Sequence, residues 1–272
     1  MNPSDSVPSI AESAASGETA EIYADIRTTL GTSVVNLIWR NLAMLPGALP
    51  WTWAAVRPLY VGAAAAHADA VRRTLALPAV PQLSADTLAA ARVDKAALGA
   101  IRTTLDSYYH TNALALVVLS ALLERYDPSA GEPAKPSGAV AIIGKTELAA
   151  LPLLADLTPE VQRLIIELNG FGEDSAAFLI ASMYRHLAYW PPYLALIRTL
   201  LAPLQAEGRL HALTLAARAL GRAHGRALVN GLAPGDPPAS LEQALASCRL
   251  FVEHPIARMT GICALIRHAT PE

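Results

Sequence analysis

The side chains able to do chemistry are concentrated in two short stretches. One is Tyr108-Tyr109-His110-Thr111-Asn112, and the other is Ser182-Met183-Tyr184-Arg185-His186, followed by Leu187-Ala188-Tyr189-Trp190-Pro191. His110 and His186 carry imidazoles that can act as bases near neutral pH, although a lone histidine is more often structural. Asn112 adjoins an otherwise apolar helical run. A buried amide needs a partner, so it reads equally as a helix-packing hydrogen bond or as a group that binds water or a ligand. Ser182 can donate to a ligand carboxylate or bond back within its own helix. Tyr108, Tyr109, Tyr184, Tyr189 and Trp190 at helical spacing read mostly as core. Other chemistries lack their signatures. There is no His-Glu-x-x-His and no Cys-x-x-Cys, so no metal is expected. Gly170-Phe171-Gly172 lacks the third glycine of a dinucleotide fingerprint and follows no strand, and Gly-x-Ser-x-Gly is absent. No cofactor is expected.

The elements that must position these groups are helical. Ala, Leu and Arg dominate, and all three favour helices. The pattern predicts helices at about 18–30, 32–45, 48–76, 84–91, 94–125, 146–152, 158–169, 175–190, 192–206, 209–231 and 239–268. Thr158-Pro159-Glu160 supplies a capping hydroxyl, a first-turn proline and an acid, and Ser240 to Gln243 forms a weak capping box. Ala139 to Ile143 is the nearest approach to a strand and is too short to build a sheet. Asp127 to Gly138 is the clearest linker, and Leu232 to Pro238 is a second loop.

Composition narrows the class. The chain has 272 residues, 53% hydrophobic and 16% charged, with a net charge of −2. That excludes intrinsic disorder and a polycation that grips nucleic acid by charge. Mean hydropathy is positive, yet the longest uncharged run, Ser107 to Leu123, has 17 residues and opens with polar ones. A spanning helix needs roughly 20 apolar residues, so no membrane partner is expected. Met1 to Gly17 is small and polar, lacks the basic and apolar regions of a secretory signal, and reads as a disordered arm. Cys248 and Cys263 cannot form a disulfide framework and suit a reducing cytoplasm.

An internal repeat organises the chain. At an offset of 145 residues, Arg40-Asn41-Leu42-Ala43-Met44-Leu45-Pro46 lies on Arg185-His186-Leu187-Ala188-Tyr189-Trp190-Pro191, and seven of the twenty positions from 40 to 59 are identical. Downstream, Ser120-Ala121-Leu122 resembles Cys263-Ala264-Leu265 at an offset near 143. A proline ends one helix and is pre-set for the first turn of the next. Each half is thus helix, proline corner, helix. The expected architecture is all-α: two fused helical repeats packed into one pseudo-symmetric body, with a ligand cleft between them. The parts are an arm at 1–17, repeat 1 at 18–127, a linker and connecting segment at 128–157, and repeat 2 at 158–272. Arg40 and Arg185 correspond across the repeat and are expected to form helix-end ion pairs with Glu21 and Glu160. Asymmetric positions are better site candidates: Asn112 matches Pro255, and Met183 matches Ile38.

The segment Ala20 to Arg27, with Trp39-Arg40-Asn41-Leu42-Ala43-Met44-Leu45-Pro46-Gly47-Ala48-Leu49, resembles the start of the group I 2-haloacid dehalogenases. His186 to Pro191 and Phe251 to Ile266, with Ile256-Ala257 and Thr260, resemble the second half of that family. The resemblance covers most of the chain after residue 18 and is diffuse. It implies an all-helical fold of two fused repeats with the active site between them. The implied reaction is hydrolytic loss of halide from C2 of a short 2-halocarboxylic acid. Aspartate-activated water attacks C2 directly, without a covalent intermediate, inverts the centre, and accepts both enantiomers. The water-holding asparagine falls on Asn112. The serine of the second motif falls on Ser182 and the aspartate on Met183, which cannot accept a proton. Positions that are aromatic in the family read as Val34, Leu37, Val252 and Pro255, with Ile256 beside them. Glu173 and Asp174 precede Met183 on the same expected helix. Asp174 is nine residues away, roughly 13 Å of rise, and reaches the base position only if that helix is re-registered.

Two readings follow. In one, the chain is a 2-haloacid dehalogenase-like hydrolase in which Asn112 orients water. In the other, it is a helical homologue without that activity that holds a small apolar carboxylic acid, or does other chemistry, in the pocket between repeats; fold resemblance alone does not transfer chemistry. Both take a small-molecule ligand, a short carboxylic acid, and no nucleic acid. A homodimer is among the assemblies open to such a chain.

Overall fold

A computed structural model describes residues 7–127, 147–173 and 179–272. It is all-α, with no β-strand among the described residues. Twelve helices are present among them: α1 Gly17–Leu30, α2 Leu37–Leu42, α3 Ala48–Tyr60, α4 Ala64–Thr74, α5 Ala85–Ala90, α6 Lys95–Arg125, α7 Pro159–Gly170, α8 Ser182–Leu187, α9 Pro191–Ala206, α10 Arg209–Leu228, α11 Leu241–Phe251 and α12 Ala257–Ala269. A π-helical turn, Val252–Ile256, joins the last two. No helix among the described residues is long and apolar enough to cross a membrane.

Local chemistry sets the helix ends. Asp94 caps α6, its carboxylate accepting from Ala97 N at 2.8 Å, and Ser84 caps α5 through Thr87 N at 3.1 Å. Gly31 closes α1 with φ of 63°, a left-handed conformation that glycine adopts without a Cβ penalty. Prolines 191 and 192 open α9, where their missing N–H groups are not needed. The boundaries recur at a fixed spacing: α2 and α8 begin at Leu37 and Ser182, and α4 and α10 at Ala64 and Arg209, each pair 145 residues apart. Pro58 and Pro203 both lie inside a helix, α3 and α9.

Several elements differ from the sequence expectation. The helix expected at 48–76 is two helices, α3 and α4, parted at residues 61–63; a Cβ on Gly62 would lie 2.9 Å from the Pro58 carbonyl oxygen, so only glycine fits there. Of the helix expected at 175–190, only α8 is helical among the described residues; Ile180 and Ala181 are not. Described residues 147–152 form no helix. The helix expected at 239–268 is interrupted by the π-turn. Its cause is Pro255, which has no N–H to return to the carbonyl four residues back. Residues 7–16, expected within a disordered arm, are bound instead. Ile10 N donates to Arg40 O at 3.0 Å, Tyr23 donates its hydroxyl hydrogen to Ile10 O at 3.1 Å, and Glu12 pairs with Arg27 at 2.8 Å. Residues 1–6, the short segment at 139–143 and all but Asp127 of the linker at 127–138 lie outside the described residues.

Two apolar cores share their long helices. One gathers Trp39, Trp53 and Tyr60 from α2 and α3, with the two indoles edge to face at 5.3 Å. The other gathers Tyr184, Tyr193 and Ile197 from α8 and α9. The α6 helix gives Ile101, Leu105 and Tyr108 to the second core and Ala113 to Leu119 to the first. The α11–α12 rod does the same in reverse, with Phe251 and Ile256 in the first core and Met259 and Ile262 in the second. Against the C-terminal half of α6, α10 approaches to backbone contact: a Cβ on Gly225 would sit 2.6 Å from Ser120 Cβ and 2.7 Å from Ala121 N. Backbone cannot move aside as a flexible side chain can. Gly225→Ala should therefore lower stability by about 1–3 kcal/mol from overpacking, despite the better helix propensity of alanine. Urea unfolding monitored by the tryptophans would register this as a lower midpoint; an unchanged or raised midpoint would show that α6 and α10 are looser than this.

Candidate functional site

Where the two shared helices cross, α6 turns polar. Ser107, Thr111 and Asn112 lie between Leu105, which belongs to one core, and Ala113, which belongs to the other. Facing them is a cavity of about 60 Å³, space for a few waters or a small ligand. The remaining wall comes from the 32–38 segment (Thr32, Val34, Asn36, Leu37, Ile38), from Leu148, from residues 179–183, and from Phe251, Pro255, Ile256 and Met259 around the π-turn. Among the described lining residues there is no Asp, Glu, His, Lys or Arg.

Seven of the eight residues singled out from sequence meet here: Asn112, Ser182, Met183, Val34, Leu37, Pro255 and Ile256. Val252 does not; it lines a separate groove with Glu124, Arg218, Arg222 and Arg249. In a regular helix Val252 would share a face with Pro255 and Ile256, three and four residues on. The π-turn adds a residue to that turn and breaks the register. The residues matched at the sequence offset, Asn112 with Pro255 and Ile38 with Met183, all line this cavity.

Each wall segment is fixed by polar contacts. The 32–36 segment is tied down by Val35 N donating to Glu12 at 2.8 Å and by Val34 N donating to Thr32 Oγ1 at 3.3 Å. Thr111 donates to Ser107 O at 2.9 Å, and the Ser107 and Thr32 hydroxyls stand 3.5 Å apart. The 179–181 segment hangs on Arg258 of α12, which is 1% exposed. Its guanidinium donates to the backbone and side-chain oxygens of Asn169, the latter at 3.1 Å, to Leu179 O at 3.4 Å, and to Glu173 at 3.3 Å. Asn169 Oδ1 also accepts from Ala181 N at 2.9 Å. Burial pulls the Arg258 pKa below its ordinary value, with Tyr184 and Glu173 opposing the shift.

These contacts decide two questions left by the sequence. Glu173 cannot serve as a displaced base on the wall, because its carboxylate is engaged with Arg258 and with His254 Nδ1 at 2.9 Å. Asp174 lies outside the described residues. The ion pairs expected for Arg40 and Arg185 are not the ones formed. Glu160 pairs with Arg163 at 3.0 Å on the surface, and Arg185 Nε donates to Pro152 O at 2.8 Å. Arg40 is buried, and its Nε and Nη2 have no hydrogen-bond partner. Neither Arg40 nor Arg185 lines the cavity.

Tyr108 also lines the cavity and forms a buried pair with His186 behind it, the phenol oxygen 2.6 Å from His186 Nδ1. His186 Nε2 is 3.0 Å from Ala149 O. A carbonyl can only accept, so Nε2 carries the imidazole hydrogen, and Nδ1 accepts the Tyr108 proton. Burial holds the His186 pKa down to about 4; the Ala149 bond raises it and Arg185 lowers it further. The same burial pushes the Tyr108 phenol well above its usual range, against the pull of Arg185, Arg40 and a hydrogen bond from Ser182. His110 is not on the wall. It is partly buried and its pKa is lowered, first by burial and then by Arg72. The orphan on the wall is Asn112: its Nδ2 is buried without a partner, which costs about 1–3 kcal/mol unless something fills the cavity and accepts from it.

No family model matches this sequence, and no curated protein matches it. Solved structures do. A D-2-haloacid dehalogenase mutant in complex with D-2-CPA is 17% identical, with a TM-score of 0.70 over 97% of this chain and 94% of that one. A second D-2-haloacid dehalogenase mutant, also at 17%, gives 0.73 over 97% and 96%. A D-2-haloacid dehalogenase with L-LA gives 0.68 at 17%, over 97% and 95%. The chain has the fold of a D-2-haloacid dehalogenase.

Sequence reasoning missed Arg258, Asn169, Tyr108 and His186 as partners. Arg258 carried a signal: a lone arginine in an apolar run must find acceptors. The neutral state of His186 gives a pH test. Its pKa lies below the usual 6.5 in the folded chain, so its contribution is intact above about pH 6.5 and drains as pH falls toward 4. The loss is roughly 3 kcal/mol. His186→Gln, which keeps an N–H for Ala149 but cannot be protonated, should lose less stability than the parent between pH 7 and pH 4.5. Parallel denaturant curves at the two pH values would read this, and equal losses would mean that His186 titrates normally.

Proposed function

We propose that this chain is a dehalogenase-fold protein whose cavity, between two packed repeats, holds a small and largely apolar molecule, and that it does not hydrolyse 2-haloacids by aspartate-activated water. The observation that carries the reading is the chemistry of the wall: Met183, 1% exposed, lines it at the position to which the sequence resemblance assigns the base, and no described lining residue is Asp, Glu, His, Lys or Arg. A water in this cavity would meet Asn112 but no group able to remove its proton directly. The equal spacing of α2 to α8 and α4 to α10 supports the two-repeat architecture. Two cysteines, too few for a disulfide framework, support a cytoplasmic setting for this reading.

A second reading, a hydrolytic dehalogenase in which Asn112 orients the water, draws support from the unpartnered Asn112 amide and from the fold it shares with the D-2-haloacid dehalogenases. Chloride release separates the two. Incubated with D- and L-2-chloropropionate, the protein should release no chloride above a buffer blank; release from either enantiomer, abolished by Asn112→Ala, would establish the second reading. Met183→Asp should lose about 2–4 kcal/mol in stability from an unpaired buried acid. If the pocket keeps its ancestral geometry, it should also show chloride release that the parent lacks.

A further inference from the structure

Residues 147–152 cross the outer side of the cavity as a strip that is neither helix nor strand. Glu147, Ala149 and Ala150 are exposed. Of these residues only Leu148 lines the cavity. Two surface grooves flank the strip. One holds Glu147, Leu148, Ala149 and His186, and the other holds Glu147 with Thr32 and Ser33. Leu148 belongs to the cavity and to the first groove, and Thr32 to the cavity and to the second. The strip therefore stands between the cavity and both grooves.

Its attachment differs from that of the helices around it. Residues 148–152 make no hydrogen bond to another backbone group among the described residues. Side chains hold them instead. Leu148 N donates to Ser33 Oγ at 2.9 Å. Ala149 O accepts from His186 Nε2 at 3.0 Å, Ala150 O from the Tyr189 hydroxyl at 2.8 Å, and Pro152 O from Arg185 Nε at 2.8 Å. Three of these four grips come from α8 and the corner that follows it. His186 also meets Tyr108 through Nδ1, and Tyr108 lines the cavity, so the strip is fastened to a pair that builds the wall. A segment with no ladder of its own and few buried side chains opens locally at far lower cost than the packed helices beneath it.

We propose that residues 147–152 are a strap that gates the cavity. A ligand enters and leaves when the strap lifts from Ser33, His186 and Tyr189 and withdraws Leu148, while α6, α8 and the π-turn stay packed. The inference concerns access, and it stands whichever small molecule the cavity holds.

The two native cysteines supply an internal control. Cys248 lies in one core and Cys263 in the other, both fully buried, so their thiols react only when a core opens. Met183→Cys places a new thiol on the cavity wall, and Ile256→Cys places one there from a different element. Each variant is treated with methyl methanethiosulfonate in native buffer, and modification of each cysteine is followed by peptide mass spectrometry. The introduced thiol should react roughly tenfold faster or more than Cys248 and Cys263, because lifting the strap costs less than opening a core. Ser33→Ala and Tyr189→Phe each remove one hydrogen bond from the strap. Either should speed reaction of the introduced thiol about fivefold and leave Cys248 and Cys263 unchanged, and the two together should compound. A rate at both introduced positions that neither change alters would overturn the gate, because access would then lie elsewhere. An introduced thiol that reacts only in step with Cys248 and Cys263 would overturn it too, because the cavity would then open only with the cores. Both results would leave the small-ligand reading standing.

Discussion

The constraint on which this structure turns is that α6 and the α11–α12 rod each belong to two cores at once. Neither core closes without them: α6 supplies Leu105 and Tyr108 to one and Ala113 to Leu119 to the other, and Phe251 and Met259 are divided in the same way. A helix that serves two cores passes through the junction where neither packs fully around it. Small polar residues, Ser107, Thr111 and Asn112, occupy α6 there, and the π-turn at Pro255 widens the rod opposite. The cavity is a consequence of this arrangement. Its floor is held by α6, which is pinned from the far side by the backbone approach at Gly225. That contact ties the geometry of the site to a packing interface in which no site residue takes part.

The wall is held by charge and dipole rather than by apolar packing alone. Arg258 is taken out of water, and an isolated guanidinium there would be strongly unfavourable. It is stable because Asn169, Leu179 and Glu173 supply oxygen acceptors. Those acceptors are the end of α7 and the approach to Ser182, so satisfying one buried cation places the segment that carries the Ser182 and Met183 side chains. On the other side of that segment, His186 and Tyr108 link α8 to α6 in one direction of hydrogen donation, set by the Ala149 carbonyl. The two networks are separate, yet both end on residues 179–186.

Much of the fold was legible in the sequence because its signals are local. Pro46 and Pro191 mark corners by the stereochemistry of proline, and Pro159 marks the first turn of α7. The seven site residues that gather on one wall were found through motif resemblance and helical register. The failures have equally physical causes. Val252 was misplaced because register counting assumes a regular helix, and Pro255 forbids one. The long helix expected around 175–190 ignored a demand that comes from elsewhere in the chain, the acceptors required by Arg258. The roles of Tyr108 and His186 depend on a carbonyl at Ala149, 37 residues from His186 in sequence, and no periodicity can reveal such a pairing.

Met183 leaves the described lining of the cavity without a carboxylate. Among the described lining residues there is no cation, so an aspartate at position 183 would be the only charge among them, and its field would favour a polarised water and a ligand able to tolerate an adjacent anion. Methionine carries no such field and leaves dispersion and the Asn112 amide to discriminate among ligands. The buried pair beside it, Tyr108 and His186, is neutral above about pH 6.5, since the His186 pKa lies near 4. Across the neutral range, therefore, the direction of donation between the two side chains does not reverse, because a neutral His186 whose hydrogen faces Ala149 O has only Nδ1 left to accept the Tyr108 hydrogen.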